Sequence, residues 1–305
     1  METRKLLYLI NPISGTRGKT SMQEMIRHRT LEKGFAFEIL PTNAEGDYSF
    51  LVPVIEQQGV TDIIVCGGDG TVSAVAAALQ GRHIRIGIIP MGSGNGLAYA
   101  AGIPADPGGA LEVIFTGKAH LIDGFLINGQ FSCMLCGIGL DASVAHEFAG
   151  QQRRGLGTYI RVTMKNFFVA RAYPFRLHIP EGPGGPRILD VKAFFVSIAN
   201  GNQFGNHFTI APKASLSDGL LDIVVAKRTN RLRFLLSVIR QVMGGYRVEA
   251  RPRDRGNGKI IYFQTPSLLI DNPGGAPLHI DGDPRASAAA FRITVVPEAI
   301  RLMQP

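Results

Sequence analysis

The chain has 305 residues, 45% of them hydrophobic, which suits two domains of ordinary size better than one. Three cysteines are too few for a disulfide framework. No apolar run approaches the roughly 20 residues that span a bilayer. The net charge is +8, and residues 227–259, with ten Lys or Arg and two acids, carry all of it.

The first third alternates strand and helix patterns. Strands are expected at Lys5 to Ile10, Phe35 to Leu40, Asp62 to Cys66 and Arg85 to Ile89. Helices are expected at Lys19 to Lys33, Tyr48 to Gln57, Thr71 to Leu79, Asn95 to Ala101 and Ala110 to Phe115. This alternation predicts an α/β domain with a parallel sheet covered on both faces. After about Lys118, short strands separated by Gly-Pro-rich turns predict a β-rich antiparallel sandwich domain. Helices at Tyr159 to Arg171 and Leu232 to Met243 interrupt it. The expected division is 1–122 and 123–285, with a tail from about 286 returning to the first domain. Cys66, Cys133 and Cys136 read as core residues, since no second pair or histidine completes a zinc site. Met1 to Asn11 ends too soon in Asn-Pro for a secretory signal, so a cytoplasmic chain is expected.

Glycine loops follow three strands of the first domain. Asn11, Ser14 and Gly15 belong to the first loop. Gly67, Gly68, Asp69, Gly70 and Thr71 form the second, leading into Val72 and Ser73. Gly92, Ser93, Gly94 and Asn95 form the third. Where a strand ends and a helix begins, backbone N–H groups converge on a phosphate-sized site. The run Gly18-Lys19-Thr20 invites a P-loop reading, but that motif needs glycine at position 13, which is Ile13. Asp69 would repel phosphate unless it holds Mg²⁺ or takes a proton, both of which phosphoryl transfer needs. The plainer alternative is a helix cap.

With N-P-x-S-G upstream and P-x-G-S-G-N downstream, GGDGT resembles the diacylglycerol kinase and sphingosine kinase superfamily. The resemblance continues through Ile122-Asp123-Gly124, Gly137 to Ala142, Ala211 to Ala214, Asp218 to Asp222 and Asp281 to Pro284. It implies a phosphofructokinase- or NAD-kinase-like ATP-binding domain and a β-sandwich that handles lipid. By position, Thr42 would contact nucleotide, and Gly67 to Ser73 with Ser93 would line the ATP phosphates, supported by Asn11, Ser14 and Asn95. Ser215, Asp218 and Leu220 would hold a structural Mg²⁺, an oxygen-only set that suits this ion. The competing account is an ordinary Asp-Gly turn. Asp141 matches an aspartate that meets the polar head of sphingosine, or is a buried structural residue. Asp283 stands where the family shows the glutamate of D-G-E. It is one methylene shorter, roughly 1.5 Å per bond. Asp69, Asp283 and Asp123 are the candidate catalytic acids.

The function expected is an ATP- and Mg²⁺-dependent kinase acting on a lipid hydroxyl, diacylglycerol-like or sphingoid. The chain would sit peripherally on an anionic inner membrane face through its basic segment, and a strand edge offers a surface for homodimerisation. Two alternatives remain open: an NAD-kinase-like small-molecule kinase, and a catalytically weak nucleotide or lipid sensor. Nucleic acid is not an expected partner, because Trp and an aromatic-rich basic motif are absent.

Overall fold

The computed structural model describes residues 4–10, 19–43, 45–92, 94–151, 156–180, 185–202, 211, 213–227 and 260–305. The helix expected at Leu232 to Met243, and with it the basic segment from 228 onward, lies outside the described residues. The chain divides into two compact units, 1–122 with 298–305, and 123–297.

The first unit is built on strands β1 (Lys5–Ile10), β2 (Ala36–Pro41), β3 (Asp62–Gly67) and β4 (Arg85–Pro90). All pair in parallel, in the order β2-β1-β3-β4. The apolar runs of β1, β3 and β4 are buried almost throughout, as sheet strands covered on both faces must be. β2 is the edge and stays half-exposed. The connecting helices are α1 (Lys19–Glu32), α2 (Leu51–Gln58), α3 (Asp69–Ala78), α4 (Gly96–Ala100) and α5 (Pro107–Thr116). α5 opens on Asp106, whose carboxylate accepts the Gly109 N–H at 2.7 Å, with proline in the first turn. The chain leaves β1 toward β2 on one side and returns to β3 on the other. That reversal is the topological switch point, and open α/β sheets bind ligands at the carboxyl ends of the strands there.

The second unit begins within β5 (Lys118–Ile127) and contains β6 (Gln130–Ser132), β7 (Leu135–Gly139), α6 (Leu140–Ala149), α7 (Leu156–Val169), β8 (Tyr173–Ile179), β9 (Arg187–Ala199), β10 (Leu221–Lys227), β11 (Ile260–Thr265), β12 (Ser267–Asp271), β13 (Leu278–Ile280), β14 (Asp283–Arg285) and the first part of β15 (Ala290–Gln304). Its strand pairings are antiparallel. β9 is the organiser: residues 187–193 pair with β8, while 195–199 pair with both β7 and β10. Alternate residues of these strands fill one core, including Phe125, Phe175, Val196, Ile223 and Phe291.

The structure modifies the expected end of the chain. The return to the first unit starts at Glu298 rather than near 286, because Ala290 to Thr294 are held in the ladder with β12. Glu298 has φ +51, and beyond it Arg301 and Leu302 run parallel to β4.

Candidate functional site

In the first unit the second and third glycine loops interlock. The Met91 N–H donates to the Gly67 carbonyl at 2.9 Å, extending the β3–β4 ladder past the strands. Beyond it the backbones touch. A Cβ on Gly68 would lie 3.0 Å from the Gly92 α-carbon, and one on Gly92 would lie 2.6 Å from that of Gly68. Asn95 clamps the third loop: its Oδ1 accepts the Gly92 N–H and its Nδ2 donates to the Gly92 carbonyl, both at 2.8 Å. It does so from the left-handed region, φ +54, which asparagine tolerates. The Asn95 side chain is thus spent on loop shape. Gly92→Ala is expected to force the loops apart, costing about 1–3 kcal/mol of stability, as overpacking does, and at least about tenfold in nucleotide affinity. Thermal unfolding and titration with an ATP analogue measure the two effects.

Asp69 is the first residue of α3, two residues earlier than the sequence pattern placed the helix start. Its carboxylate packs against Gly94, where a Cβ would meet Oδ2 at 2.8 Å. Helix-opening N–H groups have no partner within their own helix, so the first turn, Asp69 to Thr71, directs its N–H groups out of the helix start. Val72 and Ser73 are buried, and the Val72 N–H donates to the Gly68 carbonyl at 3.1 Å. These two residues anchor the helix from its inner side. Thr42 continues the β1–β2 ladder, its N–H donating to the Ile10 carbonyl at 3.1 Å. Asn11, Ser14, Gly15 and Ser93 lie outside the described residues. The second and third loops therefore form a backbone cradle at the carboxyl ends of β3 and β4, with Gly68 and Gly92 too close for Cβ atoms, a fit for the phosphates of a nucleotide.

In the second unit the turn before β10 meets Asp123. The Asp123 Oδ2 accepts the Gly219 N–H at 2.7 Å, and its own N–H donates to the Leu216 carbonyl. Asn200 ties down the same corner, its Nδ2 donating to the carbonyls of Asp123 and Cys133 at 2.8 and 3.0 Å. Asp218 is exposed, with Oδ1 accepting the Leu220 N–H at 3.1 Å. Asp123, Asp218 and Asp222 thus gather at one turn. Burial pushes the Asp222 carboxyl up to about 7; Asp218's charge adds to the shift, while Gln264 and Lys213 oppose it. Tyr262 donates its hydroxyl to Asp222. Among the described residues no group of three or more His, Cys, Asp or Glu is placed to hold a metal ion, so a divalent cation at this turn would rest chiefly on backbone oxygens and water.

The raised Asp222 value has a signed consequence. The unfolded chain loses this proton near its ordinary value, while the folded chain keeps it to about pH 7. Stability contributed in acid is therefore lost as pH rises from about 4 to 7. In metal-free buffer, Asp222→Asn is expected to flatten that decline, with the two proteins diverging by on the order of 2–4 kcal/mol by pH 8. Denaturant midpoints at pH 5 and 8 measure it.

Asp141 lies beside Gly137 of β7, and the Asp281-Gly282 turn before Asp283 meets Leu135 at the start of β7, level with Ala199 and Asp222. Asp141 lies in the first turn of α6, a helix the sequence pattern missed. Its Oδ1 accepts the Ala142 N–H, and its Oδ2, which has no hydrogen-bond partner among the described residues, is 3.8 Å from His279 Nε2. The Gly282 N–H donates to His279 Nδ1 at 3.2 Å, which leaves the ring proton on Nε2, facing Asp141. Gly137 makes the room, since a Cβ there would lie 2.0 Å from Asp141 Oδ2. Asp281 is buried and accepts from the Ser132 hydroxyl at 2.7 Å and the Leu135 N–H at 3.1 Å. It fixes the Asp281-Gly282 turn, φ +52 and +85, with the paired positive φ values of a tight hairpin. That turn presents Asp283, whose side chain is 59% exposed, with Arg285 at 4.0 Å. Asp69 belongs to the first unit, and Asp123 and Asp283 to the second. The sequence reading left without roles His279, which lies 3.8 Å from Asp141, and Asp281, which fixes the turn before Asp283.

Comparison with known proteins matches both units. Residues 5–127 match the diacylglycerol kinase catalytic domain, and residues 135–304 match the YegS C-terminal NAD kinase beta sandwich-like domain. A Chromohalobacter salexigens protein named "Probable lipid kinase YegS-like" is 26% identical, over 94% of this chain and 91% of its own. A Mycobacterium tuberculosis protein named "Diacylglycerol kinase" is 28% identical, over 100% and 96%. A solved Bacillus anthracis str. Sterne structure superposes with a TM-score of 0.80 at 22% identity, covering 99% of this chain and 97% of that one, and shows the shared fold. The glycine cradle on a parallel sheet and the antiparallel unit that follows it are those of one family, and the chain belongs to the diacylglycerol kinase and YegS-type family of lipid kinases.

Proposed function

We propose that this chain transfers the γ-phosphate of ATP to a hydroxyl of a membrane lipid, with Mg²⁺. The observation that carries this reading is the pair of interlocked glycine loops at the carboxyl ends of β3 and β4, with Asp69 at the opening of α3. Backbone N–H groups of the loops bind and orient the phosphates, and α3's dipole favours their charge. In the transfer, the bond between the γ-phosphorus and its bridging oxygen breaks. A bond from the lipid hydroxyl oxygen to that phosphorus forms, ADP leaves, and the hydroxyl proton passes to a carboxylate. Asp69 and Asp283 are the carboxylates assigned to this step. Bound Mg²⁺ would neutralise phosphate charge, and a second Mg²⁺ would be held by Asp218 with the carbonyls of Ser215 and Leu220. A relative named "Diacylglycerol kinase" supports a glycerolipid acceptor, and the Asp141 carboxylate lies beside His279 inside the fold.

Transfer of labelled γ-phosphate in mixed micelles tests this across diacylglycerol, monoacylglycerol, phosphatidylglycerol, sphingosine and ceramide. A phosphorylated lipid that disappears with EDTA is expected, with glycerolipids ahead of sphingosine. Labelled NAD with no labelled lipid would favour the small-molecule kinase instead. Asp283→Glu, which lengthens the reach by one methylene, is expected to keep or raise the rate, whereas Asp283→Ala is expected to lower it by about 10²-fold or more. Equal rates for all three proteins would remove Asp283 from the mechanism.

A further inference from the structure

Helix α7 buries one face and exposes a second that is also apolar. Val162 and Phe167 close a small core with Leu140, Val144, Ala170 and Phe194. On the opposite side Phe168 and Val169 are 56% and 73% exposed. Arg161 and Lys165 share that side, since positions 161, 165, 168 and 169 follow i, i+4, i+7 and i+8 spacing. Arg171 follows the helix end with its guanidinium 4.7 Å over the Tyr173 ring. α7 contains no acidic residue. The nearby carboxylate, Glu147 of α6, bonds Lys165 at 2.7 Å and Asn166 at 2.9 Å, while Arg161 donates to the neutral Gln151 side chain. The face is therefore net positive, with large apolar side chains standing among its basic groups.

An outward helix face is ordinarily polar; bulky apolar residues flanked by arginines are the pattern of a helix that lies in a bilayer interface. We propose that the outer face of α7 docks this protein on an anionic lipid bilayer. Phe168 and Val169 enter the headgroup boundary, and Arg161 and Arg171 meet lipid phosphates. The positive charge selects an anionic lipid surface over an apolar protein partner. The inference rests on the lipid-kinase reading, because the substrate of such an enzyme resides in a bilayer and no helix among the described residues is long and apolar enough to cross one. It assigns docking to residues other than those of the basic segment after residue 227.

Vesicle co-sedimentation tests it. The full-length protein, Phe168→Ser/Val169→Ser and Arg161→Glu/Arg171→Glu are compared on phosphatidylcholine vesicles with and without phosphatidylglycerol. The unmodified protein is expected to bind the anionic vesicles, and to bind less as salt rises. Each double variant is expected to bind at least about tenfold more weakly. Both variants should keep their melting temperature and phosphorylate a short-chain, monomerically dispersed diacylglycerol at the unmodified rate. Undiminished vesicle binding by both variants overturns the proposal. So does a change in sedimentation from dimer to monomer with vesicle binding unaltered, which would make the face a contact between copies. If no protein phosphorylates the short-chain lipid but the variants still lose vesicle binding, the docking surface stands and the kinase reading fails.

Discussion

Asp69→Ala and Asp69→Asn are each expected to lower phosphoryl transfer by about 10²–10⁴-fold, the range for removing a positioned general base or acid. ATP binding should change far less, because the loop N–H groups that bind phosphate are backbone groups. Asp69 sits where its charge competes with a bound phosphate: it opens α3, whose dipole favours an anion, and lies against Gly94 beside two loops shaped for anions. A mere helix cap predicts a different result. The cap position of α3 is Gly68, which makes no side-chain cap bond, and losing a capping interaction costs about 1 kcal/mol of stability without touching turnover. Rates for the two variants, with binding isotherms for an ATP analogue, separate the accounts. Retained turnover would return Asp69 to a structural role.

The second large effect is on stability and lies at the opposite end of the same strands. Asp62, fully buried at the start of β3, receives both Arg4 and Arg85. Arg85 is bidentate at 2.9 and 3.0 Å, Arg4 reaches both oxygens at 2.7 and 3.3 Å, and the Thr61 hydroxyl donates at 2.6 Å. Arg4 goes on to donate to the carbonyls of Ile114 and Phe115 at the end of α5, satisfying orphan groups of that helix terminus. Asp62→Ala removes one carboxylate and strands two guanidinium groups, so about 3–5 kcal/mol of stability should be lost. Equilibrium unfolding in urea measures this, and activity per folded molecule should survive. A loss under 1 kcal/mol would mean that water replaces Asp62 at little cost.

Local signals explain what the sequence disclosed. The apolar run of β1 has the bounds its pattern predicts, because burial on both faces leaves a signal that no tertiary contact needs to supply. The glycine loops were visible for the same reason, being contiguous. Their interlocking was not, since it joins residues from two separate loops. α6 was hidden inside a glycine motif, although Leu140, Val144 and Phe148 do follow helical spacing. β15 runs on through Pro297 to Gln304, and its pairing moves from β12 to β4 along the way. The Asp62 network and the Asp141–His279 pair join residues far apart in the chain. Charge pairing across such separations has no period, and only the fold brings it together.

The most direct test of the central claim is a single-turnover incubation of the protein with γ-labelled ATP, Mg²⁺ and micellar diacylglycerol, followed by organic extraction. The label is expected in an extractable lipid phosphate for the unmodified protein, and to remain aqueous for Asp69→Asn at equal ATP occupancy. Label that stays in the aqueous phase for both proteins, across every lipid in the panel, would contradict it.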